Sequence, residues 1–286
     1  MSAIYSIAPD KLARLIGTPA CPVLVDVRID EDFDDDPNFV PGAIRRSHDK
    51  VGEWAPGLSG KTVVAICKKG QKLSEGVAAW LRHAGASANV LDGGTEAWAR
   101  EKLPRVPASK LPARNPEGRT VWVTRARPKI DRIACPWLIR RFVDPSAMFL
   151  FVTASEVESV GERFGAVPFD IEGVHWSHRG DLCTFDAMVE EFGLEIDALR
   201  HLATIVRAAD TDRLDLSPEA PGLLAASLGL SRIYADDHEQ LDAGMLLYDA
   251  FYRWCRDATG ETHNWSSHKA RPKTKTEAKT KTETRA

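Results

Sequence analysis

The sequence lacks any apolar run of the roughly eighteen residues that a membrane-spanning helix needs, which argues against a bilayer span. It is also short of cysteine, with five in 286 residues: Cys21, Cys67, Cys135, Cys183 and Cys255. Their number is odd and no CxxC pair occurs, which argues against a disulfide framework and against a zinc ribbon. A dominant charge is missing too. The formal net charge of −3 gives no general attraction to nucleic acid. The opening "MSAIYSIAPDKLARLIG" has neither the basic start nor the apolar stretch of a signal peptide, so the expected location is cytoplasmic.

What is present is a globular composition, 43% hydrophobic and 28% charged. The length suits about two domains of ~150 residues. The boundary falls in "LPRVPASKLPARNPEG", whose four prolines and missing periodicity predict a semi-extended linker over 104–118. Ahead of it, residues 1–103 alternate strand patterns at 23–27, 62–66 and 88–91 with helical patterns at 9–16, 73–84 and 95–101. That alternation predicts an α/β fold with a central parallel sheet. Behind it, residues 119–260 set strand-like "TVWVT" and "MFLFV" around a helical "IACPWLIRRFV", then turn helical at 184–193, 195–210, 218–228 and 236–257. The expectation is a mostly helical α+β domain. Residues 261–286 hold the charged, threonine-rich "KTKTEAKTKTETRA" and are expected to form a disordered tail.

The stretch "VVAICKKGQKLSEGVAAWL" sets Cys67 where a strand pattern ends and a helical one is about to begin. Between them lie Lys68, Lys69, Gly70, Gln71 and Lys72. Gly70 permits unusual dihedrals and the helix start supplies unpaired N–H groups, so the turn is an anion cradle. Three lysines and the positive end of the helix dipole draw anions toward the sulfur, making Cys67 a candidate nucleophile. On these residues alone, a buried structural cysteine at a strand end is the alternative.

Four motifs in order, "VLVDVR" (23–28), "FVPGAI" (39–44), "CKKGQK" (67–72) and "LDGGTEAWAREKLP" (91–104), resemble a rhodanese-like sulfurtransferase domain. The resemblance implies that Cys67 carries a persulfide and that the loop residues Lys68 to Lys72 hold an anionic donor such as thiosulfate. It also implies that Asp26 and Arg28 flank the mouth of the site, and that a small or protein thiol accepts the sulfur. No metal or organic cofactor is called for. Related phosphatase and arsenate-reductase domains carry an arginine six positions after the cysteine. Leu73 stands there in this chain, so sulfur transfer is expected rather than phosphate hydrolysis. The other reading of Asp26 and Arg28 is a structural ion pair that fixes the loop.

In the second half, "TRARPKIDRIACPWLIRRF" holds five arginines and Lys129 against one acid, Asp131. Pro136 marks the expected helix start, placing Cys135 at the N-cap. With Arg125, Arg132 and Arg140 it forms a candidate site for a tetrahedral dianion such as sulfate, thiosulfate or chromate. A packed cysteine under a solvated basic face is the alternative. Further on, "HWSHRGDLCTFD" offers His175, His178, Cys183 and Asp186, with Asp210 and Asp212 beyond. The spacing fits no standard metal template, and polar residues bonded at a loop and helix cap are the simpler account. No metal is expected there, His175 and His178 being the nearest to ligands. "KIDRIACPWLIRRFVDP", "HRGDLCTFDAM" and "IVRAADTDRLDL" resemble the C-terminal domain of the ChrB family of chromate-resistance proteins. Together the two resemblances imply a sulfurtransferase associated with chromate resistance. The alternative they leave is a protein that binds or senses an oxyanion without turnover. A rhodanese-like half stands where ChrB regulators carry a different N-terminal portion, so neither DNA nor a membrane is an expected partner.

Overall fold

The computed structural model describes residues 5–261, so the expected tail falls, beyond Glu261, outside the described residues. The first half contains strands β1 (Ser6–Ile7), β2 (Val23–Asp26), β3 (Asn38–Phe39), β4 (Ala43–Arg45), β5 (Thr62–Ile66) and β6 (Ser87–Leu91). Five of them form one all-parallel sheet in the order β1-β6-β5-β2-β4. Helices α1 (Pro9–Leu15), α2 (Asp30–Asp35), α3 (Val51–Trp54), α4 (Lys72–His83) and α5 (Gly94–Arg100) connect the strands. The central strand β5 is apolar on both sides because helices cover both faces. Val63 and Ala65 face a core closed by Val51 of α3 and Val77 and Leu81 of α4. Val64 and Ile66 face the other core, with Leu12 of α1 and Trp98 of α5.

The second half opens on β8 (Val121–Arg125), flanked by β9 (Met148–Val152) and β10 (Val167–Pro168) in a parallel sheet of order β10-β8-β9. Six helices accompany it: α6 (Asp131–Leu138), α7 (Val157–Phe164), α8 (Thr184–Glu191), α9 (Asp197–Asp210), α10 (Ala220–Ile233) and α11 (Asp237–Asp257). Trp137 of α6 anchors this half. Its ring lies 5.4–6.3 Å from those of Phe142, Phe185, Tyr248 and Tyr252. Its indole N–H donates to Asp249 Oδ1 at 2.8 Å, and Arg141 grips the same carboxylate with two bonds of 2.8 and 2.7 Å. None of the described helices is long and apolar enough to cross a membrane.

The halves share one core. Leu12, Ile16, Leu24 and Trp98 belong to the same apolar cluster as Trp122, Trp137, Phe142 and Tyr252. Gly42 N–H donates to the Phe142 carbonyl at 2.6 Å, and Arg256 donates to the Arg14 carbonyl at 2.8 Å. The proline-rich segment is no free tether. Val106 is buried in the shared core, and β7 (Val106–Pro107) pairs antiparallel with β3. Lys110 then bonds Glu191 at 2.7 Å and Arg114 bonds the buried Asp144 at 3.1 Å. Replacing Phe142 by alanine is expected to cost about 3–5 kcal/mol in urea unfolding, the range for emptying a large buried aromatic site. A loss below about 1 kcal/mol would show that this ring does not join the halves.

One local expectation is corrected. Helix α6 starts at Asp131, not at Pro136, so Cys135 is no N-cap but a fully buried residue within the helix. Pro136 sits inside it and forfeits one backbone bond, and a π turn, Ile139–Val143, follows. Burial, reinforced by Asp131, pushes the Cys135 thiol well above its ordinary range, and Cys183 is raised for the same reasons. Burial also lifts Cys21 to about 11 and Cys255 to about 12. Iodoacetamide at neutral pH should therefore leave Cys135 and Cys183 unmodified in the folded chain and label both in guanidinium. Peptide mass spectrometry reads the result, and native labelling of Cys135 would restore a reactive thiol there.

Candidate functional site

Cys67 follows the last residue of β5, and α4 begins at Lys72, so the intervening turn closes around the sulfur as the apolar run stops. The turn is clamped by a second glycine loop. A Cβ on Gly70 (φ 66°) would collide with the Leu91 carbonyl, and one on Gly94 (φ 60°) with the carbonyl of Cys67 itself. Thr95 N–H and Glu96 N–H donate to the carbonyls of Cys67 and Lys68, each at 3.0 Å. Only glycine allows this approach.

Cys67 is 5% exposed, and its sulfur lies 3.1 Å from the hydroxyl of buried Ser74, which donates to the Gln71 carbonyl at 2.9 Å. Among the described residues, no acceptor takes the backbone N–H groups of Lys68, Lys69, Gly70 and Gln71. A cleft of about 340 Å³ opens over Cys67, lined by the three lysines, Asp32 and Glu96. The lysines are not equivalent. Lys68 is paired to Asp32 and Asp35 of α2 at 3.2 and 3.0 Å, and those bonds hold its ammonium above the ordinary lysine range. Lys69 and Lys72 form no ion pair with a described residue.

Asp26 and Arg28 are not at the mouth. Arg28 is buried, bidentate on Asp26 with bonds of 2.6–3.0 Å, and donates to the carbonyls of Asp36 and Asn38 at 2.8 Å. Neither residue lines the Cys67 cleft. Desolvation favours this closed pair over contact with a mobile anion, and its bonds fix the path of the chain from β2 to β3.

The three arginines proposed around Cys135 do not converge. Arg140 pairs with Asp242 at 3.4 Å and lies over the ring of Phe149. Arg125 and Arg132 both turn to Asp170, meeting its Oδ2 at 3.4 and 3.3 Å. Around the other oxygen of Asp170 stands a group drawn from segments far apart in the sequence. His178 Nε2 lies 3.5 Å from Asp170 Oδ1, 3.6 Å from Asp131 Oδ2 and 3.2 Å from Asp210 Oδ2. Hydrogen bonds to Asp170 and Asp210 push the His178 imidazole up to about 10. Burial, then Asp210 and Asp170, raises the Asp131 carboxyl well above its ordinary range. Ligand atoms of Asp131, Asp170 and His178 lie within 4.8 Å of one another, so they could hold a metal ion.

The other histidine-loop candidates are elsewhere. His175 is exposed against Trp176 and 3.9 Å from Glu191. Cys183 caps α8, its N–H bonded to Asp186, which Arg207 holds at 3.0 Å. Asp131, Asp170 and Ser74 are site residues that the sequence motifs do not single out. A lone acid in a basic run was a signal for Asp131. Asp170 gave none, because most of its neighbours come from distant segments, whereas Ser74 lies only seven residues after Cys67, in the first turn of α4.

Residues 8–101 match the family model of the rhodanese-like domain, and residues 122–255 match that of the ChrB C-terminal domain. Protein ChrB of Cupriavidus metallidurans is 34% identical over 149 residues, which are 51% of this chain and 44% of that protein. The chain thus spans less than half the length of that curated relative. Among solved structures, a Staphylococcus saprophyticus protein is 26% identical, with a TM-score of 0.31, covering 35% of this chain and 98% of that one. A rhodanese-like domain protein from Staphylococcus aureus is 27% identical, with a TM-score of 0.29, covering 33% and 91%. From its two family matches, this chain carries a rhodanese-like domain followed by a ChrB C-terminal domain.

Proposed function

We propose that the protein transfers sulfane sulfur from thiosulfate or a similar anionic donor, through a persulfide on Cys67, to a thiol acceptor. One observation carries the reading: the Cys67 sulfur sits beneath a clamped turn whose four backbone N–H groups have no acceptor among the described residues. Unpaired donors on a fixed turn next to the thiol suit an anionic or partly charged sulfur held just outside it. Cys67 Sγ attacks the outer sulfur of the donor. The new S–S bond forms as the donor's own S–S bond breaks, and sulfite leaves with that electron pair. An acceptor thiolate then attacks the outer sulfur, takes it as a persulfide and returns the Cys67 thiolate. Ser74, 3.1 Å from Sγ, orients the nucleophile.

The ChrB-type half ties this activity to chromate resistance. In this reading the protein works in the cytoplasm, where acceptor thiols stay reduced. The second reading, an oxyanion sensor without turnover, gains no support from the arginines of the second half, since Arg125 and Arg132 are engaged by Asp170 and Arg140 by Asp242.

Cys67→Ser should reduce thiosulfate:cyanide transfer to background with an unchanged circular dichroism spectrum, because a hydroxyl cannot form a persulfide. Turnover retained in that variant overturns the assignment. A Lys69→Ala/Lys72→Ala double variant should raise the donor's KM by about 10-fold with a smaller fall in kcat, as expected when charges gather and hold the anion. Lys68→Ala should change KM less, its ammonium being engaged by Asp32 and Asp35. A pure kcat loss in the double variant would place these lysines in the chemical step.

A further inference from the structure

The second half contains a polar cluster that sulfur transfer does not use. Its members come from four places: Asp131 opens α6, Asp170 follows β10, His178 sits in the loop before α8, and Asp210 ends α9. Three carboxylates thus surround one imidazole nitrogen at 3.2–3.6 Å. Asp131 is fully buried, and its Oδ1 has no hydrogen-bond partner. An unpaired oxygen on a buried carboxylate is costly unless a cation is there to meet it.

We propose that Asp131, Asp170 and His178, with Asp210 as a fourth donor, bind one divalent first-row transition cation. The spacing is compatible with such an ion. A tetrahedron with metal–ligand bonds of ~2.1 Å has edges of about 3.4 Å. The three distances to His178 Nε2, 3.2–3.6 Å, match such an edge. The ligand atoms of Asp131, Asp170 and His178 lie within 4.8 Å of one another, so the carboxylates draw inward to close around the ion. A set of carboxylate oxygens with one imidazole suits manganese, iron or zinc rather than a thiolate-seeking ion.

The surroundings hold these donors as the outer shell of a metal site does. Thr184 N–H donates to Asp131 Oδ2 at 2.6 Å, and the Thr184 hydroxyl donates to Asp170 Oδ1 at 2.8 Å. Arg125 and Arg132 steady the far oxygen of Asp170. The backbone is also forced here. Ile130, next to Asp131, has φ 40°, and Asp170 itself has φ 54°, conformations that side-chain-bearing residues adopt only when the surroundings impose them. Access is provided by a cleft of about 870 Å³ lined by Asp170, His178 and Arg125. A bound ion would reach solvent through it, beside a guanidinium that favours anionic ligands.

The test uses the full chain carrying Cys67→Ser, which removes that thiol as a competing ligand, stripped with a chelator and then titrated with Mn²⁺ and separately with Zn²⁺. Calorimetry should give one site per chain, and the Mn²⁺-loaded protein should show electron spin echo modulation from a single imidazole nitrogen. His178→Ala should weaken binding by at least about 10-fold and abolish the modulation, and Asp170→Asn should weaken it likewise. His178 is 42% exposed, so its replacement should leave the fold intact, checked by circular dichroism. Absence of binding by the stripped chain at millimolar Mn²⁺ and Zn²⁺ overturns the proposal. So does binding without nitrogen modulation, a readout that needs no variant to fold. Neither result bears on Cys67, whose chemistry is assayed separately.

Discussion

Strand β5 is buried from both sides, and the arrangement of the molecule depends on that burial. Because side chains alternate across a strand, Val63 and Ala65 fill a local core beneath α3 and α4, while Val64 and Ile66 feed the larger core shared with the second half. The next residue is Cys67. The apolar run that orders the sheet therefore delivers the sulfur to the end of a fixed strand, and the turn behind it has little freedom. The glycines at 70 and 94 allow the two loops to meet backbone to backbone, with no side chain between them. A turn held in this way is preorganised, and donors on such a turn need no reorganisation to meet an anion.

The shared core has a second consequence. The halves are joined by the rings of Phe142 and Tyr252, by Val106 from the connecting segment and by the Gly42–Phe142 backbone bond. The Cys67 turn and the His178 cluster are thus parts of one packed body.

Much of this was legible in the sequence because it is local. The run at 62–66 is strand β5, "MFLFV" is strand β9, and the late helices lie within a few residues of their expected spans. The glycine loop around Cys67 announces itself through residue types that must be adjacent. What the sequence hid depends on segments meeting. Pro136 reads as a helix start, but tertiary burial of Trp137 and Leu138 carries α6 through it from Asp131. Arginines clustered in sequence read as an anion pocket, yet they turn to carboxylates far along the chain: Arg125 and Arg132 to Asp170, 45 residues after Arg125, and Arg140 to Asp242, 102 residues after it. Arg28 is a similar case, its donors spent on Asp26 and two carbonyls. The same long-range meeting builds the His178 cluster, only one of whose members belongs to the segment "HWSHRGDLCTFD".

Sulfur chemistry at Cys67 is tested most directly by intact-protein mass spectrometry after incubation with thiosulfate. The prediction is a mass gain of one sulfur atom per chain, localised by digestion to the peptide that contains Cys67 and removed by cyanide or a small thiol. No gain, or a gain on another cysteine while Cys67 stays unmodified, would contradict it.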